Sequence, residues 1–304
     1  MTPFAIAGVQ MRVSATSENL SEMRRRLDLL MARYPWVQMV VFSELCAFGS
    51  SPAHAQSLPG PAEDAFCEMA SRHDVWLIPG SLFERGDGHI YNTVPVIDPG
   101  GVVIARYRKM FPFRPYEFGV SPGTEFVVFD VPEVGRFGVT ICYDMWFPET
   151  TRTLAAMGAE VILHPTLTDT LDRELELSIA RTNAAINQCY FFDINGVGDG
   201  GYGRSIIVGP QGYVIHEASV AEEIIPVEIN LDRVRREREV GVRGLGQPLK
   251  SFRDRGVDFN VYRPEAFTYS YLHTLGPLEK PERANANGNH SNTTDAAPDG
   301  TEGP

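Results

Sequence analysis

Residues 36–44 read WVQMVVFSE, an apolar run that ends only at Ser43 and Glu44. A short, β-branched, almost uninterrupted apolar run of this kind reads as a buried strand. A carboxylate therefore stands at the strand's carboxyl end. Just upstream, Leu20, Met23, Leu27 and Leu30 recur at helical spacing, with Thr16 or Ser17 placed to cap the helix, and Phe4 to Val9 reads as an earlier strand. Strand, amphipathic helix and buried strand in succession point to an α/β layer architecture.

The same alternation continues outward. Residues 62–73 read as a helix, and strand signals follow at VWLIPGSLF (75–83), NTVPVID (92–98) and GVVIARYRK (101–109), with the turn DPGG joining the last two. Phe126 to Val131 and Phe137 to Cys142 read as further strands, the second ending on the cysteine. Pro148 opens a short helix that Gly158 closes, and AEVILHP (159–165) reads as another buried strand. Leu171, Leu175, Ile179 and Ile186 form one stripe of a longer helix, so that stripe is the expected buried face. Strands are expected at YFFDIN (190–195), RSIIVG (204–209), GYVIHE (212–217) and IIPVEI (224–229), and LDRVRRERE (231–239) reads as a helix with a solvated charged face. No internal repeat of fixed period is evident.

Bulk properties narrow the function. The 304 residues suffice for one large α/β domain with a sizeable core, and 43% hydrophobic and 22% charged residues are ordinary for a globular chain. A net charge of -12 argues against general affinity for nucleic acid or anionic membrane, which leaves small molecules as the expected partners. No apolar run is long enough for a membrane span and the start lacks a secretory pattern, so the expected location is cytoplasmic. The four cysteines, Cys46, Cys67, Cys142 and Cys189, show no CxxC pairing and read as free thiols. From about residue 281 the apolar content vanishes, so the folded domain is placed at residues 1–280 and a disordered tail at 281–304; the N-x-S/T sequons at Asn289 and Asn292 read as chance matches.

Three strands end on reactive groups: Glu44 after VVFS, Lys109 after VIARYR and Cys142 after RFGVTI. Sites in layered α/β folds assemble at the carboxyl ends of strands. A thiol that attacks an amide or nitrile carbon near neutral pH needs a base and an electrostatic partner. Glu44 suits the first role. Lys109 suits the second, holding the charge that develops on the substrate oxygen, where one fixed donor is typically worth about 2.7–4 kcal/mol of barrier. Taken singly, each residue has a plainer reading as a solvated acid, a surface cation or a buried apolar thiol.

In combination the residues say more. The segments VVFSELCAFG, YNTVPVIDPGG, YRKMFPFRPYEFGVSPG and FGVTICYDMWFPE resemble, in order, the successive motifs of the carbon–nitrogen hydrolase family, the nitrilase superfamily. The resemblance covers residues 4 to about 230. It implies an α-β-β-α sandwich, association into a homodimer or higher homo-oligomer, no metal or organic cofactor, and a catalytic triad of Glu44, Lys109 and Cys142. It also implies a second acid, Glu117, eight residues after the lysine, and the backbone N–H of Tyr143 as a further oxyanion donor. The implied reaction is hydrolysis of a small amide to the carboxylic acid and ammonia through a cysteine thioester. The loop KMFPFRPYEFGVSPG, with Pro112, an aromatic at 113, Pro115 and Glu117, resembles aliphatic amidases and formamidases, whereas CYDMWFPE is nearer the general amidase and carbamoylase pattern. Nitrile hydrolysis and removal of an N-carbamoyl group are the alternatives within the family, and a non-catalytic binding or regulatory protein on the same fold is the alternative outside it. Tyr143, Trp146 and Phe147 are expected to line the pocket and favour a compact, partly apolar acyl group.

Other signals carry less. Gly196, Gly198 and Gly201 have GxGxxG spacing, but RSIIVGPQGYVIHE follows, a strand–turn–strand pattern where a dinucleotide fingerprint requires a helix. The segment reads instead as a glycine-rich loop near the pocket. His164 is expected at a sheet rim rather than paired with Cys142, and no histidine spacing suggests zinc. Asp144 and Glu149 are expected to position the loop and the helix start after the cysteine.

Overall fold

The computed structural model describes residues 3–263 and 270–280. Two sheets dominate it. The first has the spatial order β16 (Glu223–Asn230), β1 (Pro3–Gln10), β3 (Met39–Phe42), β4 (Trp76–Ile78), β6 (His89–Ile97) and β5 (Leu82–Gly86), with β7 (Val103–Arg108) also paired to β6. The second runs β15 (Val214–Glu217), β14 (Ile206–Val208), β11 (Tyr190–Asn195), β10 (Val161–Thr166), β9 (Gly135–Val139) and β8 (Val128–Val131). A small third sheet joins β2 (Arg12–Val13), β12 (Val197–Gly198) and β13 (Gly201–Tyr202). The centre of each large sheet is parallel, through β1, β3 and β4 in one and β9, β10 and β11 in the other.

Side-chain alternation shows how the sheets stack. Met39 and Val41 of β3 pack in the same core as Val161 and Leu163 of β10 and Phe192 and Ile194 of β11, so that core lies between the two sheets. The intervening residues face outward. Val40 and Phe42 meet Met23, Leu27 and Leu30 of α1 (Leu20–Arg33) and Phe66 and Met69 of α2 (Pro61–His73). Ile162 and Phe191 meet Leu154 of α3 (Pro148–Ala156) and Leu177, Ala180 and Ala184 of α4 (Asp172–Asn187). Helix, sheet, sheet and helix follow one another, which is the expected α-β-β-α sandwich. Strands buried on both faces explain why their sequences read as continuous apolar runs, with each fully buried large side chain worth about 1.5–3 kcal/mol.

Several expectations are corrected in detail. The cap of α1 is Asn19 rather than Thr16 or Ser17; the Asn19 carbonyl accepts from Met23 N at 2.9 Å while its side chain latches onto the backbone of Ser14. VWLIPGSLF divides into β4 and β5 because Gly80, at φ +76°, breaks it. The strand before the cysteine ends at Val139, and Cys142 begins a 3-10 turn that runs to Trp146. In α4 the predicted stripe is misplaced: Leu171 is 95% and Leu175 54% exposed, and the buried face is Arg173, Glu176, Leu177, Ala180, Asn183, Ala184 and Asn187. Polar residues won that face because charged partners wait for them inside. The charged face of α5 (Leu231–Val240) is not wholly solvated, since Arg235 pairs with Glu160 at 2.8 Å and Arg238 donates to the Gln188 carbonyl at 3.2 Å.

Beyond Gly241 no described residue is buried. The expected tail at 281–304, with its two sequons, lies outside the described residues. Among the described residues no helix is long and apolar enough to cross a membrane.

Candidate active site

The carboxyl ends of β3, β7, β9 and β10 converge. Glu44 follows β3 by two residues, and its backbone N–H donates to Thr166 O of the second sheet at 3.2 Å, which ties the two sheets together at this point. Gly80, after the neighbouring strand β4, lets the chain pass close to this turn: a Cβ on it would lie 1.8 Å from Ser43 O. Lys109 follows β7 directly, with its N–H bonded to Asn92 O and its carbonyl accepting from Gly123 N, each at 2.8 Å. Cys142 sits at φ +46°, a left-handed conformation costly for a residue with a Cβ and held here by its surroundings.

Lys109 is 1% exposed and lies between two acids. Its Nζ is 2.9 Å from Glu44 Oε1 and 2.8 Å from Glu117 Oε2. Asn92 Nδ2 bridges the same acids, donating to Glu44 Oε1 at 2.8 Å and Glu117 Oε1 at 3.0 Å. Burial disfavours charge on all of them, and the outcome depends on partners. Burial would lower Lys109, but the charges of Glu44 and Glu117 outweigh it and hold the ammonium well above its ordinary value. Burial raises Glu44 against the pull of Lys109, helped by the neighbouring Glu117 charge. Glu117 goes the other way: burial opposes ionisation, yet Lys109, the Phe113 N–H and Asn92 together lower it.

Burial, followed by the Glu44 charge, pushes the Cys142 thiol well above its usual range, so it rests as a neutral thiol. Its Sγ lies 3.8 Å from Thr168 Oγ1, beyond the end of β10. The three residues expected to act together are thus assembled beside one cavity of about 400 Å³, whose wall also includes Glu117, Phe113, Tyr116, Tyr143, Trp146, Leu167 and Thr168. Gly200 of the glycine-rich segment is part of the wall as well. Phe147 is not; it stacks on Phe111 with ring centroids 3.6 Å apart and meets Tyr143 edge-on.

Asp144 explains how Lys109 and Cys142 keep their relative position. Its Oδ2 accepts from Tyr107 Oη at 2.7 Å and Ile141 N at 2.9 Å, and its Oδ1 accepts from Phe111 N at 2.9 Å. One buried carboxyl therefore clamps the segments on either side of Lys109 to the residue before Cys142. Burial raises it to about 6 despite these donors. Glu149 lies in the first turn of α3 and accepts from Tyr262 Oη at 2.7 Å.

A second buried charge cluster lies behind the thiol. Arg173 Nη1 is 3.1 Å from Glu176 Oε2 and 2.8 Å from Asp193 Oδ2, and Thr168 Oγ1 donates to Glu176 Oε1 at 3.1 Å. Burial, against the pull of Arg173, lifts Asp193 to about 7. His164 is fully buried on β10 rather than at a rim, bonds Thr140 Oγ1 at 2.7 Å, and is kept well below its ordinary value by burial and by Arg173. Asn92, Thr168, Glu176 and Arg173 were not singled out from sequence. Thr168 was within reach, because it follows the strand AEVILHP just as Glu44 follows its own.

Comparison with known proteins identifies the family and the fold. A family model described as carbon-nitrogen hydrolase matches residues 5–239. The omega-amidase NIT2 of Homo sapiens is 30% identical over 257 residues, covering 77% of this chain and 91% of that protein. A deaminated glutathione amidase of Dictyostelium discoideum is 31% identical over 197 residues, 58% of this chain and 67% of that protein. Among solved structures, a carbon-nitrogen hydrolase from Helicobacter pylori G27 superposes with a TM-score of 0.73 at 26% identity, covering 86% of this chain and 99% of the other. Nit3 of Saccharomyces cerevisiae, described as a member of branch 10 of the nitrilase superfamily, gives 0.72 at 27% identity, with 78% and 94% covered.

Proposed function

The chain belongs to the carbon–nitrogen hydrolase family, and from that premise we propose that it hydrolyses a small amide to the carboxylic acid and ammonia, with Cys142 as nucleophile. The observation that carries this reading is the buried thiol bordering a 400 Å³ cavity beside an ammonium locked between two carboxylates. Amidase names among the relatives support amide over nitrile.

The reaction runs in two halves. As Sγ of Cys142 adds to the carbonyl carbon, Glu44 takes the thiol proton, and its raised affinity for protons suits it to that task near neutral pH. The new oxyanion is held by Lys109 Nζ and the Tyr143 N–H. When the C–N bond breaks, Glu44 returns the proton to the departing ammonia and leaves a thioester. Glu44 then deprotonates a water that adds to the thioester carbon, and collapse expels the thiolate, which recovers the proton. Glu117, ionised and hydrogen-bonded to Asn92, keeps Lys109 aimed. Tyr143 and Trp146 shape the acyl pocket. The reading extends to a cytoplasmic location and to a homo-oligomer, the latter tested by light scattering coupled to gel filtration.

Ammonia release from a panel of primary amides, nitriles and N-carbamoyl compounds, comparing wild type with Cys142→Ala, tests the assignment. Release from amides that disappears in the variant is expected. Equal release from both proteins removes Cys142 from the mechanism, and release from nitriles alone replaces the amidase reading.

A further inference from the structure

One uncharged residue touches three of the four groups Glu44, Lys109, Glu117 and Cys142. Asn92 lies on β6 and is fully buried. Its backbone carbonyl accepts the Lys109 N–H at 2.8 Å, and its Nδ2 donates to Glu44 Oε1 at 2.8 Å and to Glu117 Oε1 at 3.0 Å. Charge fixes which way the amide faces. Against burial, Lys109 and the Phe113 N–H hold Glu117 ionised, and an ionised carboxylate only accepts, so the nitrogen must face it. The other end of the amide, Oδ1, is buried and has no hydrogen-bond partner among the described residues. A buried orphan of this kind costs stability, and turning the amide over would set Oδ1 against two acids. The fold bears that cost for what Nδ2 does.

Nδ2 completes one oxygen of Glu44. Oε1 accepts from Asn92 Nδ2 at 2.8 Å and from Lys109 Nζ at 2.9 Å, which occupies both of its lone pairs. A proton arriving at Glu44 therefore goes to Oε2. Lys109 cannot hold the carboxylate by itself throughout the reaction. An ammonium has three N–H donors; Glu44 and Glu117 take two, and the third must follow the substrate oxygen as charge gathers there. Asn92 has no such second duty, and it is anchored in β6 opposite Phe83 of β5.

We propose that Asn92 is a positioning residue of the hydrolysis: by occupying Glu44 Oε1 it keeps Oε2 as the oxygen that serves the thiol while Lys109 attends to the substrate. The S–H bond of Cys142 then breaks to form O–H on Oε2, and the same proton passes from Oε2 to the departing nitrogen. The inference rests on the amidase reading, and the two are tested separately. Asn92→Leu keeps the shape of the side chain and removes the amide. On a neutral primary amide kcat is expected to fall by about ten- to a hundredfold, with KM within about threefold of wild type. The titratable groups that face Glu44 are Lys109, Glu117 and Cys142, and all three remain in the variant. Loss of a donor to its charged form raises the proton affinity of Glu44, so the acid limb of kcat/KM moves to higher pH. A purely structural role for Asn92 leaves that limb in place.

Labelling of Cys142 by methyl methanethiosulfonate, read on the Cys142 peptide by mass spectrometry, needs the same proton transfer and no hydrolysis. Its rate against pH is expected to show the same limb and the same upward move in Asn92→Leu. Introduced into Glu44→Gln, the substitution should change the labelling rate by less than about twofold, because the group it positions is gone. A limb that stays fixed or moves to lower pH, or an equal loss of labelling in the Glu44→Gln background, overturns the proposal. Asn92→Ser, which withdraws the amide from both acids, is read in the same way if Asn92→Leu does not fold. A labelling limb that moves upward in a protein that hydrolyses no amide defeats the amidase reading and keeps the assignment of Asn92. Amide hydrolysis with an unmoved limb does the reverse.

Discussion

Two cations are buried in this molecule between pairs of carboxylates, and they flank the same thiol. Lys109 lies between Glu44 and Glu117, and Arg173 lies between Glu176 and Asp193. The difference is what else each cluster faces. Lys109, Glu44 and Glu117 all border the cavity, so their charges are available to a substrate, whereas only Glu176 of the second cluster does. Arg173 instead donates through Nη2 to the Arg204 carbonyl at 2.7 Å, joining α4 to the loop before β14. On the proposed mechanism, similar electrostatic units serve chemistry in one place and assembly in the other.

Removing each cation should separate those roles. Lys109→Met is expected to lower kcat by roughly 10²–10³-fold, the size of effect that loss of an oxyanion donor produces. Its stability loss should be the smaller of the two, because the acids left behind border an open cavity. Arg173→Met strands two carboxylates in the interior, and breaking such a pair from one side typically costs about 3–5 kcal/mol. Chemical denaturation and steady-state kinetics on both variants check this. A Lys109 variant that unfolds while keeping its kcat, or an Arg173 variant with unchanged stability, would break the comparison.

How much of this was legible beforehand follows from what kind of signal each cluster leaves. Glu44 and Cys142 each follow a run of apolar residues in a buried strand, which makes such ends conspicuous, whereas Lys109 follows β7, an edge strand of alternating exposure. The second cluster leaves no such mark. Arg173 and Glu176 sit on a helix whose leucines suggested a different face, and apolar spacing pointed to Leu171 and Leu175, which are exposed. A hydrophobic-period argument assumes that charges face water, and it fails where an interior aspartate such as Asp193 demands a partner. Phe147 was chosen for nearness to the cysteine in sequence, but on a 3-10 turn consecutive side chains point apart, and Phe111 claims its ring. The two faces of α4 can be compared directly: Leu177→Asp should destabilise the fold by about 3 kcal/mol or more, while Leu171→Asp stays within about 0.5 kcal/mol of wild type. Equal effects in thermal unfolding would mean that the face has been assigned wrongly here too.

The pH profile sharpens the contrast between Glu44 and Glu117. On the proposed mechanism Glu44 must be ionised to accept the thiol proton, and burial together with the Glu117 charge raises it. The acid limb of kcat/KM on a neutral amide should therefore lie above the ordinary carboxylate range, with activity lost as pH falls through it. Glu117→Gln removes the repelling charge, so the limb should move to lower pH even as kcat declines. A limb that moves upward or stays fixed would show that a different group controls it.

The smallest effect belongs to Thr168, which touches both the thiol and the second cluster. Thr168 Oγ1 donates to Glu176 and stands 3.8 Å from the Cys142 sulfur, so it passes the influence of the second cluster to the nucleophile only weakly. The Glu176 charge works against thiolate formation, and it follows burial, Glu44 and Lys109 in weight. Thr168→Val keeps the shape of the wall and removes the hydroxyl. Glu176 then loses one of its hydrogen bonds and retains Arg173, so stability should fall by about 1 kcal/mol and kcat by no more than severalfold. Its loss should add to that of Arg173→Met by less than the sum, because both act on Glu176. Strict additivity in a double-variant cycle would mean that Thr168 and Arg173 do not act through a shared Glu176, and that the hydroxyl does not carry the second cluster's influence to the thiol.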